Sequence, residues 1–463
     1  MIPFPIISGH AYESFYPVNC YYSPEASSGK PAMVGCAGLK NHLKDTDVSG
    51  CVRAMHVFDN HLYAVIDVTL YRKSGANMET IGTISSPNGP VIMEHSADQL
   101  AVVENGRLWI VTADGTMTDY TEQFPGTRIG SIAYQDGYFV GHEIGTGNWY
   151  ESDIYDGASW NGSDYAITAG NSDNLVRLLS DHREIWAMGE KTCEVYYNSG
   201  ASDFSFSRVP GGFVEKGLAG PLAVAKKDNT LFFLTHDRTF VRIDGYVPRI
   251  IGTRHIADAI QGYDRVDDCI AFTYAISGGE FVAFVFPDAK TTWEYNIATQ
   301  LWHERRSYLQ APGDYTQWRA NCHAVFNSVN VVGDFLDGVI YEIDPDTYDE
   351  GGEPLIFERV SPPVESNRNR VIHHAVEFEF ETGVVLITGQ GSDASLMMDY
   401  SDDDGSTWKG HRTESIGEIG ERLHRVRFNR LGSSRKRLYR LRISDPIKRV
   451  LCGAYIDAAV GRH

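Results

Sequence analysis

From residue 61 to residue 343 one unit keeps returning: a short apolar or alternating run, a turn of Asp, Asn or Gly, and a second strand that often ends on an aromatic residue. It is recognisable at His61 to Tyr71, Arg107 to Tyr120, Tyr138 to Tyr150, Glu184 to Tyr197, Thr230 to Asp244, Glu280 to Tyr295 and Asn330 to Ile343. Anchored at residues 61, 107, 138, 185, 231, 281 and 330, the units are spaced by 46, 31, 47, 46, 50 and 49 residues. A repeat near 47 residues built from strands matches β-propeller blades, each about four short strands that cannot bury their faces alone. Closing such a ring supplies the common core and removes exposed sheet ends. The interval of 31 marks either a short blade or a misplaced anchor, so the spacing predicts six to eight blades. Irregular stacked sandwiches are the competing way to produce it.

Composition agrees with an all-β chain. Among 463 residues there are 45 Gly, 25 Tyr and 21 Phe, a bias toward short strands joined by tight turns. Hydrophobic residues at 42% and charged residues at 22% exclude a disordered chain. The repeat fades after about residue 350, in an acidic stretch running from Asp344 through Asp346, Asp349 and Glu350 to Pro354. Beyond it the alternation sharpens. Val376, Phe378 and Phe380 face away from Glu377, Glu379 and Glu381, and Tyr439, Leu441 and Ile443 alternate with Arg440 and Arg442. The organisation expected is an N-terminal arm with first strands closing the propeller (1–50), a β-propeller (51–355) and a C-terminal β-sandwich-like domain with a basic face (356–463).

The net charge of −20 opposes binding to nucleic acid or to an anionic membrane. It is unevenly spread, because residues from 405 onward carry 14 Lys or Arg against 5 Asp or Glu, leaving −29 on the rest. Seven scattered cysteines with no C-x-x-C pair suggest neither a disulfide framework nor a zinc ribbon. No apolar run approaches the roughly 18 residues of a membrane span, and the start lacks the pattern of a signal peptide.

Motifs that carry chemistry are scarce. There is no G-x-S-x-G elbow, Walker P-loop or H-E-x-x-H. Gly389-Gln390-Gly391-Ser392-Asp393-Ala394 follows an apolar run as a dinucleotide fingerprint would, but with hairpins around it a tight turn is the better reading. The acidic loop at Asp344, Asp346 and Asp349 fails the register of an EF-hand. His373 and His374 are adjacent, so on a strand they point to opposite faces and cannot share a metal. No catalytic, cofactor-binding or metal-ligating residue is expected. Ser401-Asp402-Asp403-Asp404-Gly405-Ser406-Thr407-Trp408 has the S-x-D-x-G-x-T-W form of an Asp box, in which Ser401, Asp403, Gly405, Thr407 and Trp408 would build a hairpin turn. Sialidases share the box, so a propeller glycosidase or a carbohydrate-binding propeller is the rival reading; here the box occurs once, outside the repeat. Arg425, Arg427, Arg435, Lys436, Arg437, Arg440 and Arg442 could grip an acidic partner. They could equally pair with the Glu377, Glu379, Glu381 stripe.

Three stretches resemble the tail hub or packaged-DNA stabilisation proteins of short-tailed bacteriophages. Tyr16-Pro17-Val18-Asn19-Cys20-Tyr21-Tyr22 with Gly35-Cys36-Ala37-Gly38-Leu39 is similar to the family's "P-V-N-x-Y … P-G-L" opening. Thr292-Trp293-Glu294-Tyr295-Asn296 with Leu301-Trp302-His303-Glu304-Arg305 resembles its "W-x-Y-D … W-H-x-R" blade. Asp402-Asp403-Asp404-Gly405 through Arg437-Leu438-Tyr439-Arg440-Leu441-Arg442 resembles its C-terminal sandwich. Ala37 stands where proline is expected and Asn296 where aspartate is usual. The resemblance implies a non-enzymatic virion component without a cofactor, assembled in the host cytoplasm into a ring, commonly a homo-hexamer. That ring extends the portal channel, retains packaged DNA and conducts it on ejection. Its partners would be further copies of itself, a portal-adaptor protein, a distal tail needle or plug, and tailspikes or fibres. DNA would pass without sequence-specific binding. Six copies would carry about −120 elementary charges, and an acidic wall repels phosphate, so DNA slides without sticking. The basic residues would then be a docking face for an acidic neighbour.

Overall fold

The computed structural model describes residues 2–4, 6, 15–26, 29–44, 48–75, 77–168, 170, 173–381, 390–417 and 424–461. Among these, seven antiparallel sheets follow one another along the chain, at 52–83, 91–119, 129–167, 175–214, 224–250, 270–317 and 320–344, which we number blades 1 to 7. First strands pack side by side from blade 1 to 2, 2 to 3, 3 to 4, 5 to 6, 6 to 7 and 7 back to 1. Blades 4 and 5 meet through a shared apolar cluster and through Arg177, which donates to the Pro221 carbonyl at 2.7 Å. The result is a closed seven-bladed propeller, inside the range that the repeat predicts.

Alternation within each strand gives every blade two apolar faces, so the core lies in the seams between blades. Leu100, Val102 and Trp109 meet Tyr63 and Val65 between blades 1 and 2, and Trp149 meets Leu178, Ile185 and Tyr196 between blades 3 and 4. Blades 4, 5 and 6 share the largest cluster, centred on Phe232, Phe240, Phe284 and Trp302.

Hairpin turns set the register. In six blades the first and second strands are joined by two residues that both have positive φ: Asp59-Asn60, Asp136-Gly137, His182-Arg183, Asp228-Asn229, Ser277-Gly278 and Asn327-Ser328. This left-handed pair matches the twist of the flanking strands. Blade 2 differs. Its first turn is organised by Ser96, whose hydroxyl accepts from Gln99 N at 3.1 Å, and its left-handed pair, Asn105-Gly106, lies between the second and third strands. The anchor at residue 107 therefore falls one strand late. Measured from second strands, the step from His61 to Gln99 is 38 residues and from Gln99 to Tyr138 is 39. Two short blades replace the apparent 46 and 31.

Gly38–Leu43 closes the ring by pairing antiparallel with Ile340–Asp344 as the outer strand of blade 7. Gly38 is needed there, because a Cβ would stand 2.4 Å from the Asp349 carbonyl oxygen. Among the described residues of 1–50, this is the strand that joins a propeller sheet. Cys20–Ser23 and Ala32–Gly35 belong to a six-stranded sheet with Val450–Val460, Val371–Phe380 and Val426–Ser434, and Ile2–Pro3 pairs with Val450–Val460. A five-stranded sheet of Phe357–Val360, Val364–Glu365, Lys436–Ile443, Ser395–Ser401 and Lys409–Ser415 faces it. Between them lies a core of Phe4, Met33, Phe357, Phe378, Phe428, Leu441 and Leu451. The C-terminal domain is thus a β-sandwich that includes the chain's own beginning.

Candidate functional site at the propeller–sandwich joint

The sequence crosses between the two domains at Pro17-Val18-Asn19. Val18 exchanges backbone hydrogen bonds with Glu358 of the sandwich, both at 3.0 Å. On its other side Asn19 N donates to the Glu304 carbonyl at 2.8 Å and Glu304 N to the Pro17 carbonyl at 2.9 Å, tying the same segment to blade 6. Asn19 is fully buried with φ 53, a conformation that asparagine tolerates better than most residues. Its amide nitrogen donates to the carbonyls of Arg306 (2.8 Å) and Ile356 (2.9 Å), and its Oδ1 accepts from Arg306 N at 3.0 Å. One side chain satisfies three main-chain groups where a sheet edge would otherwise be left unpaired.

Beside this crossing, charged and polar side chains are buried together. Glu294 and His303 are cross-strand partners in blade 6, and Cys36 follows the strand Ala32–Gly35. His303 Nε2 stands 2.5 Å from Glu294 Oε2 and 3.6 Å from Cys36 Sγ. The Tyr274 hydroxyl donates to Glu294 Oε1. The Arg305 guanidinium lies 4.1 Å over the Trp318 ring, donates to the Ala37 carbonyl at 3.2 Å and is 3.8 Å from Glu350, which accepts the Ser307 hydroxyl. Arg449 donates to the carbonyls of Leu355 and Cys36. Burial works to lower the His303 pKa, but the Cys36 sulfur and the Glu294 carboxylate lift it to about 9. Burial works to raise Glu294, and the neighbouring His303 and Arg305 outweigh it, holding the carboxyl below its usual range. A cavity of about 370 Å³ opens next to the cluster, lined by Tyr21, Cys36, Tyr274, Glu294, Arg305 and Arg449 among others. Among the described residues, Cys36, Glu294 and His303 are those placed to hold a metal; all three fall in the stretches that carry the family resemblance, but nothing in sequence spacing brings them together.

The residues singled out in sequence lie elsewhere. Ser401, Asp403, Gly405, Thr407 and Trp408 form the hairpin between Ser395–Ser401 and Lys409–Ser415 of the sandwich. The Ser401 hydroxyl donates to Asp403 Oδ1 at 2.7 Å and accepts from Gly405 N at 2.8 Å; Asp403 accepts from Thr407 N at 2.9 Å and from its hydroxyl at 2.5 Å. These hydrogen bonds, led by those of Thr407 and Ser401, bring the Asp403 carboxyl down to about 2. Trp408 packs under the Arg440 guanidinium, 4.3 Å away, and against the edge of Phe15.

The basic residues are divided between two sheets. Arg425, just ahead of the strand Val426–Ser434, bridges Glu377 (3.3 Å) and Glu379 (3.1 Å). Arg440 and Arg442, on the opposite sheet, both pair with Asp399, at 2.9 and 2.7 Å. Arg437 is buried against Asp402 at 2.6 Å and Lys436 pairs with Asp404 at 2.5 Å. Arg427 and Arg435 are exposed and, among the described residues, bond only to neutral groups, the Asn429 side chain and the Arg368 carbonyl. His373 is buried between Ser434 and Tyr439 while His374 faces solvent. Of the glycine-rich run, residues 390–393 form a turn; Gly389 and the apolar run before it lie outside the described residues.

A seven-bladed ring whose first and last segments build one sandwich, locked to the ring by a buried joint, defines a propeller–sandwich protein. Residues 2–348 match the sequence family described as "Bacteriophage P22 Gp10, beta-propeller" and residues 356–459 the one described as "Bacteriophage P22 Gp10, beta-sandwich". The chain belongs to the bacteriophage P22 Gp10 family, as the resemblance in sequence implied. No curated protein matches the chain. Among solved structures it is similar to a catalytically inactive virginiamycin B lyase from Staphylococcus aureus with quinupristin (12% identity, 66% of this chain, 98% of that one, TM-score 0.44). It is also similar to BamB from Moraxella catarrhalis (11% identity, 67% and 90%, TM-score 0.40). No helix among the described residues is long and apolar enough to cross a membrane.

Proposed function

We propose that this chain is a structural component of a short bacteriophage tail, a hub that assembles as a ring, extends the portal channel, retains packaged DNA and conducts it during ejection. The observation that carries the reading is the match of both domains, in order, to the P22 Gp10 family. The joint suits a mechanical role, since it makes propeller and sandwich share one buried hydrogen-bond network. The charge of −20 per chain suits a conduit for DNA. Six copies per ring, a portal-adaptor protein on one side, a needle or plug on the other, tailspikes or fibres, and assembly in the host cytoplasm complete the proposal. The Asp box sits in the sandwich with its carboxylate engaged by its own turn, which favours a structural over a glycosidase reading.

Within the proposed docking residues, Arg427 and Arg435 are those most open to an acidic partner, because the others are engaged by carboxylates of the same domain. Arg427→Glu with Arg435→Glu is expected to leave thermal unfolding unchanged and to block incorporation into tails. Electron microscopy of particles from a complemented knockout checks both points. Normal tails from the double variant would remove these arginines from the interface, and virions lacking the protein altogether would overturn the tail reading.

A further inference from the structure

We propose that Cys36, Glu294 and His303 form a binding site for a divalent transition-metal ion of the zinc class, clipping the N-terminal crossing segment to blade 6. The donor atoms of all three lie within 4.8 Å of one another, and all three residues are buried. The alternative chemistry for such a set is a nucleophile relay, and the geometry speaks against it. In a relay the carboxylate holds one imidazole nitrogen while the nucleophile faces the other. Here the sulfur and the carboxylate oxygen both face Nε2 of His303, so the three donor atoms cluster in one place.

The distances suit an ion. With Zn–S near 2.3 Å and Zn–N near 2.0 Å, the sulfur–nitrogen edge of a tetrahedral site is about 3.5 Å, and Cys36 Sγ to His303 Nε2 measures 3.6 Å. The Glu294–His303 edge, 2.5 Å, widens to roughly 3.3 Å when an ion enters. Glu294 Oε2 is buried and turned to His303 inside the trio, whereas Oε1 is held from outside it by the Tyr274 hydroxyl. That division, one oxygen fixed by an outer partner and one left for the ion, is how ligating carboxylates are oriented. A thiolate, a neutral imidazole and a carboxylate select a borderline-soft ion over magnesium or calcium. Together with a divalent ion they sum to zero charge, beside the Arg305–Glu350 pair, which is also neutral; a neutral assembly is the least costly to bury. Cys36 and Glu294 line the 370 Å³ cavity, so the fourth position opens toward it and can take a water molecule.

The probe is cobalt(II), whose bond to a thiolate gives an intense charge-transfer absorption. The full chain, stripped with a chelator and titrated with cobalt(II), is expected to bind one ion per chain with that absorption, to release it to zinc(II), and to melt at higher temperature when loaded. Cys36→Ser is expected to abolish the absorption and weaken binding at least about 100-fold, the upper end of what loss of an outer-shell partner costs. Absence of the absorption in the unaltered chain, or its persistence in Cys36→Ser, would overturn the site. The unaltered chain decides the question even where the variant does not fold.

Discussion

Asn19 shows how much a single side chain decides here. Replacing it with alanine removes two donors and one acceptor and strands the carbonyls of Arg306 and Ile356 and the amide of Arg306. Each stranded buried group costs about 1–3 kcal/mol, so Asn19→Ala should lose about 3 kcal/mol or more in urea denaturation. Asn19→Asp should also destabilise, since its carboxylate keeps an acceptor but cannot donate to the two carbonyls. His142 gives a second residue-scale prediction. It is buried in blade 3, hydrogen-bonded to Ser131, and burial brings its pKa down to about 4. The unfolded chain takes up that proton from about pH 6.5. Stability from this group is therefore present above pH 6.5 and is lost as pH falls toward 4, by about 3 kcal/mol in full. Thermal melts from pH 7 to 4.5 should fall less steeply in His142→Gln than in the unaltered chain; parallel slopes would refute the assignment.

At the scale of elements, turns explain both the success and the failure of repeat counting. Asp136-Gly137 announces a left-handed pair, and Asn105-Gly106 announces one equally well, in the wrong hairpin of blade 2. The unit read at Arg107 to Tyr120 begins after that pair, on the third strand of the blade, so its anchor stands one strand late. His182-Arg183 adopts the same geometry, at φ 49 and 64, with residues that disfavour it. His182→Asn with Arg183→Gly should stabilise blade 4 by about 1 kcal/mol, read as a higher urea midpoint with an unchanged slope. The ion pairs lost, to Asp181 and Asp136, are exposed and worth little. Gly38→Ala should do the opposite, because the added methyl would meet the Asp349 and Thr347 carbonyl oxygens and loosen the closing strand.

For the whole molecule, the consequence is that the two domains are not independent along the chain. Strands Cys20–Ser23 and Ala32–Gly35 complete the sandwich, and the next strand completes the propeller. A chain beginning after residue 36 should keep a protease-resistant propeller while residues 356–463 become readily cleaved, and the full chain should melt in one transition where the truncated chain does not. A truncated chain as resistant as the full one would show that the arm contributes nothing to the sandwich. The proposed ring adds a concentration-dependent test: light scattering on the purified protein should give a discrete multiple of the chain mass.

Periodicity along the chain was enough for blades, strands and the sandwich alternation, because each depends on neighbours two residues away or on a turn of two residues. The S-x-D-x-G-x-T-W turn was legible for the same reason, as was the opposed facing of His373 and His374. The joint was not. Asn19 meets Arg306 and Ile356, and Cys36 meets His303, across separations of 287, 337 and 267 residues, and no local pattern encodes which distant segment a short polar side chain will face. The basic residues were countable in sequence, yet only the pairing of strands revealed that Arg440 and Arg442 share Asp399 while Arg427 and Arg435 stay open to solvent. Local geometry follows from adjacent residues; which charges neutralise one another follows from which sheets the chain brings together.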